Sequence, residues 1–164
     1  MATNTLIQYL EETQVTGLGG TVTVGASTSN RSQTETFIAG ATITAGQWVQ
    51  FDTSASGASI VATVVPAGAA LATGNPLVCG VCIGSADSSG LLTAGHKVTV
   101  VVSGFVPAAN VDAGVAAAGV ALVVDNTGAG IANAYAAADL APACGVSLGA
   151  SAAGKAPVWV YKQF

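Results

Sequence analysis

The 164-residue chain reads as an all-β protein, an antiparallel β-sandwich or barrel built from two repeated β units behind an extended N-terminal arm. Two observations predict this, and a third bears on its surface. From Phe37 onward, short runs of Val, Ile, Thr, Trp and Phe recur every ~8–12 residues between Gly, Ser, Pro or Asn-Thr-Gly breaks, the signature of a sandwich or barrel. Four blocks of residues occur twice, in the same order. Charged residues make up 7% of the chain, against about 25% in an ordinary domain, so much of the surface is expected to meet other protein.

The elements follow in chain order. Residues 1–36 are rich in Thr, Ser, Asn and Gln, hold Glu11, Glu12, Glu35 and the only Arg (Arg31), and break at Gly17-Leu18-Gly19-Gly20. They form the arm. Its apolar stretch around Leu6, Ile7, Tyr9 and Leu10 is too short to hold a helix or a strand by itself, so it gains order only against the body or a neighbouring subunit. Candidate strands are 21–24, 37–39, 48–52, 60–65, 77–83, 97–105, 120–125, 131–134, 144–148 and 157–162. Residues 132–140 have room for a turn or two of helix, the weaker reading there.

The repeat divides the β body, 37–164, into 37–105 and 106–164. Block 45–52 aligns with 118–125, each opening on Ala-Gly and closing on Asp (Asp52, Asp125). Small-residue turns then lead to Ile60 and Ile131. Cys79-Gly80-Val81 aligns with Cys144-Gly145-Val146, and block 94–105 with 153–164. A single unit cannot hide its apolar face, so the two are expected to pack as two sheets or one barrel.

Several functions are excluded by composition. A net charge of −4 with one Arg and three Lys cannot supply the cation cluster that nucleic acid requires. The uncharged run between Asp52 and Asp87 is broken by Pro66, Asn75 and Pro76, so it is no helix in lipid, and no membrane partner is expected. No signal peptide is seen after Met1, which predicts synthesis in the cytoplasm or export by a route that the sequence does not show.

Candidate chemical sites are few. Three cysteines exclude a complete disulfide framework. Cys79, Cys82, Cys144 and His96 total four possible zinc ligands, but an alternating strand would point Cys79 and Cys82 to opposite faces. Buried, inert thiols are expected, with no metal and no cofactor. Asp52 and Asp125 sit where strands meet turns and read as turn caps, not as a catalytic pair. His96 reads as an exposed turn residue, and no Gly-x-Ser-x-Gly elbow accompanies it. The glycines at 17–20 lack the Lys and helix of a phosphate loop. Trp48, Trp159 and Tyr161 are core or interface aromatics, or else the platform of a carbohydrate-binding sandwich. No enzyme is predicted.

The Ala-Gly turns that open strands (Ala45-Gly46, Ala118-Gly119), the run from Val98 to Phe105 and Asp125-Asn126-Thr127-Gly128 resemble the head decoration (cement) proteins of tailed bacteriophages. The resemblance implies a non-enzymatic virion protein on the capsid outer surface, made in the host cytoplasm and usually a homotrimer, that clamps adjacent subunits of the major capsid protein. It further implies that the arm, through Leu6, Ile7, Tyr9 and Leu10, contacts the capsid or a neighbouring subunit. The alternatives are a phage tail, fibre or baseplate module, another surface-assembly subunit, and the carbohydrate-binding sandwich.

Overall fold

The β-branched runs of the body form nine strands in the computed structural model, which describes residues 32–68, 74–124 and 129–163. They are β1 (Ser32–Ala39), β2 (Trp48–Phe51), β3 (Thr63–Pro66), β4 (Val78–Ser85), β5 (Lys97–Asn110), β6 (Ala121–Val123), β7 (Asn133–Ala134), β8 (Gly145–Ser147) and β9 (Lys155–Val160). The candidate strand 21–24 and the arm anchors Leu6, Ile7, Tyr9 and Leu10 lie outside the described residues. Residues 32–36, grouped with the arm by composition, are the first half of β1 and pair with β5. Residues 57–61 form a 3-10 turn before β3, and 132–140 hold β7 and a turn in which the Ala136 N–H donates to Asp139 Oδ2.

The strands run in the order β1-β3-β2-β4-β5-β9-β8-β6-β7, and β1 also pairs with β5. That extra pairing closes β1, β3, β2, β4 and β5 into a five-stranded barrel. An odd ring cannot alternate direction all the way round, so one neighbouring pair must be parallel. It is β1–β3, where Ile38 faces Thr63. The other strand pairs are antiparallel.

The second half follows the first in mirror order. β2 pairs with β4 through Trp48↔Val81 and Val49↔Gly80, and β6 pairs with β8 through Ala121↔Val146 and Leu122↔Gly145. Turn bonds match as well: the Gly46 N–H donates to Cys82 O, and the Gly119 N–H to Ser147 O. The far end of β5 does for the second half what β1 does for the first, since Val111 bridges Ala132 in parallel as Ala39 meets Val64. The 105/106 boundary read from the sequence therefore falls inside a continuous strand. In the last block the registers differ by one from the gapless alignment. Cys82 faces Val100 and Ser147 faces Val158, so Val100 corresponds to Val158 and not to Trp159. A one-residue slip in a strand exchanges its two faces, which is why Trp159 points outward.

Two cores result. Phe37, Val49, Val64, Val98, Val100 and Val102 fill the barrel. The corresponding Ala109, Leu122, Ala132, Ala156, Val158 and Val160 fill the second half, joined there by Trp48, Val81 and Val101 from the outer wall of the barrel. Alternate residues of β5 thus serve alternate cores, and Trp48 is wholly buried with its indole N–H donating to Asn110 O at 3.0 Å.

Matched glycines hold the sheets this close. A Cβ on Gly80 would lie 2.2 Å from Val101 O, and one on Gly145 would lie 2.6 Å from Trp159 O and 3.0 Å from the Trp48 ring. Both neighbours are part of the ladder and cannot withdraw freely. We expect Gly80→Ala and Gly145→Ala each to cost about 1–3 kcal/mol in urea unfolding. Gly84→Ala, with open space around its site, should stay within about 0.5 kcal/mol of wild type.

Candidate functional site

A cluster of titratable side chains lies at the hairpin joining β4 to β5. Ser85 faces Val98 across that hairpin, which brings the 85–89 turn against His96. Asp87 is the centre. Its Oδ1 accepts the Ser89 N–H at 3.0 Å and the Ser89 hydroxyl, while its Oδ2 accepts the Lys97 N–H at 3.1 Å and lies 3.2 Å from His96 Nδ1. Ser89 Oγ is 3.1 Å from the same Nδ1. The Ser89 hydroxyl first, and then the Lys97 N–H, hold the Asp87 carboxyl well below the usual carboxylate range.

These are the residue types of a Ser-His-Asp triad in a different geometry. A triad uses one imidazole nitrogen for the carboxylate and the other for the serine, so that the serine proton can pass to the ring. Here carboxylate and hydroxyl meet the same nitrogen, and the Ser89 proton is given to Asp87. No nucleophile is activated. The group ties off a hairpin, and the sequence reading of His96 as a turn residue missed its two partners. The available signal was Asp-x-Ser at 87–89 facing a His across a β hairpin.

The other candidates are dispersed. Asp52 Oδ1 accepts the Ser54 N–H at 2.9 Å and its hydroxyl at 2.6 Å, a turn cap as expected. Asp112 caps the Gly114 N–H likewise at 2.8 Å. Asp125 lies outside the described residues, as do the glycines at 17–20. The thiols of Cys79, Cys82 and Cys144 are free and buried. Cys79 and Cys82 do not point to opposite faces; both enter the barrel core. The pairing of β2 jumps from Gly80 to Val78 beside Cys79, and this bulge reverses the parity that a regular strand would impose. Cys79 Sγ donates to Val49 O at 3.4 Å and Cys144 Sγ to the corresponding Leu122 O at 3.3 Å. Burial pushes both thiols up to about 12 and also raises Cys82. His96 stands apart on its hairpin, and no group of three or more His, Cys, Asp or Glu suited to a metal occurs among the described residues.

The three aromatics named from the sequence separate into one core residue and two exposed ones. Trp48 is core, whereas Trp159 on the outer side of β9 and Tyr161 just after it are 36% and 41% exposed. A groove between Ile83, Val106, Pro107 and Lys155 encloses about 180 Å³, below the ~300–1,000 Å³ of usual ligand pockets. No helix among the described residues is long and apolar enough to cross a membrane.

Since the described residues assemble no triad and no metal cluster, the fold itself is the informative feature. No protein-family model and no curated protein matches the chain. Among solved structures it is similar to a chain of "The capsid of Myoviridae Phage XM1", with 19% identity and a TM-score of 0.52 over 91% of this chain and 92% of that one. The likeness is one of fold. It extends over nearly the full length of both chains, so it includes both halves of the β body.

Two outcomes test this account of the polar groups. A thiol reagent added to the native protein should modify none of Cys79, Cys82 and Cys144 within the time it takes to modify all three in denaturant. Because folding lowers the Asp87 pKa, its contribution to stability is present above the ordinary carboxylate value of 3.8 and is lost as pH falls below it. Thermal midpoints measured from neutral pH to below about pH 4 should therefore decline in acid, and Asp87→Asn should flatten that decline.

Proposed function

We propose that the protein is a structural component of a phage head, a decoration (cement) protein that sits on the capsid outer surface and clamps adjacent major capsid subunits without catalysing a reaction. The observation that carries the reading is the likeness to a chain of a phage capsid across nine tenths of both chains. Composition agrees with it. Twelve charged side chains, four basic and eight acidic, are few for a free surface of this size, and charge is what interface cores lack. In this reading the protein is a homotrimer made in the host cytoplasm. The segment with Leu6, Ile7, Tyr9 and Leu10 lies on the capsid or on a neighbouring subunit, where a partner's sheet edge or groove would give it the order it cannot reach alone.

Purified expanded heads that lack the protein provide the test. Adding it should produce new density on the outer surface in electron microscopy, at fixed symmetry positions. Deletion of residues 1–31 should lower head binding by at least about tenfold while leaving the thermal midpoint of the β body in place. Heads that gain no density with the full chain would overturn the function, and undiminished occupancy by the shortened chain would overturn the role of the arm.

A further inference from the structure

The two halves bury matched surfaces unequally. On the first half, Ala67, Trp48, Val81 and Val101 form a row across neighbouring strands, joined by the Ala67 N–H to Trp48 O bond and the Trp48↔Val81 and Val81↔Val101 pairs. Each of the four is buried. On the second half the same bonds join Tyr135, Ala121, Val146 and Trp159, through Tyr135 N–H to Ala121 O and the Ala121↔Val146 and Val146↔Trp159 pairs. This row is open: Tyr135 is exposed like Trp159, and Ala121 and Val146 are half-buried.

What covers the first row is the end of the second half. Gly130 O accepts the Trp48 N–H at 3.1 Å, the Gly130 N–H donates to Ala67 O at 2.7 Å, and Asn110 O holds the Trp48 indole. The first half has its own version of that covering end. Asn110 faces Lys155 as Ile38 faces Lys97, and Gly130 precedes Ala132 by two residues as Ala62 precedes Val64. This end is apolar and open as well, with Ile38 at 42% and Val61 at 65% exposure beside Ile60. One chain therefore carries an open apolar counterpart of each side of a contact that it already makes internally. Ala62, unlike Gly130, uses its backbone within its own half: its carbonyl accepts the Ile38 N–H and its N–H donates to Ser59 O.

We propose that a second copy of the chain seats the Ile38–Val61 end of its barrel on the Tyr135–Trp159 face, repeating between chains, through apolar side chains, the packing by which the second half covers Trp48 within one. Such a contact joins different surfaces, so it is head-to-tail and must close into a ring or run on. It deepens the oligomeric part of the proposed function but rests on packing alone, so it stands or falls separately from head binding.

Light scattering tests it with complementary variants. The wild type should weigh a multiple of the 15.8 kDa chain. Tyr135→Asp with Trp159→Asp, and separately Val61→Asp, should each run as monomers. Mixed, they should form a dimer of one copy of each, because one intact pair of faces remains between them. A monomeric wild type, a variant that keeps the wild-type mass, or a mixture that stays monomeric overturns the contact. Should the double variant fail to fold, Tyr135→Cys and Val61→Cys proteins are mixed and oxidised. A disulfide between the two supports the contact, and cross-linking of Tyr135→Cys to itself overturns it. A wild type that assembles this way and ignores heads would overturn the capsid reading while upholding the contact.

Discussion

The body depends on β5 serving two closed sets of strands. Its first half pairs with β1 and β4 and completes the barrel, and its second half pairs with β9 and, through the Val111 bridge, with the strand end at Ala132. Valine at successive positions makes this possible. Val100 and Val102 face the barrel while Val101 faces the second core, so one strand must be apolar on both sides. A strand buried on both faces reads as a continuous apolar run, not as an alternation, and Val100-Val101-Val102 at the centre of β5 is such a run.

The same constraint explains the composition. Where β2, β4 and β5 are covered on both sides there is no solvent face on which to place charge, and Gly80 and Gly145 show how little space separates neighbouring strands. Four aspartates of the described residues act locally. Asp52, Asp87, Asp112 and Asp139 each accept backbone N–H groups in turns, with Ser partners at Asp52 and Asp87. A low count of charges here goes with closed strands and apolar faces, and these four aspartates serve turn geometry.

Much of this was legible in the sequence, and the exceptions have physical causes. Pairing of Cys79-Gly80-Val81 with Cys144-Gly145-Val146 matched the observed registers because identical small residues fix that approach. The final block slipped by one residue because a gapless match ending on Phe105 and Phe164 outweighed the true correspondence of Lys97 with Lys155. Trp48 was grouped with Trp159 and Tyr161 as an aromatic of unresolved role. Nothing in a sequence tells that β2 is roofed by residues 110 and 130, more than sixty positions away. The Asp87–Ser89–His96 group was missed for a related reason: its members meet only once the β4–β5 hairpin has closed.

A shared strand also orders events during synthesis. When the ribosome has made the first barrel, the far half of β5 has no antiparallel neighbour, because β9 begins only at Lys155. Until then Trp48, Val81 and Val101 form an uncovered wall, and an unpaired strand edge stands beside them. Long-range pairings of this kind are slow to form and leave intermediates open to aggregation. That wall becomes interior only after the residues that roof it, Asn110 and Gly130, and β9 have all been made.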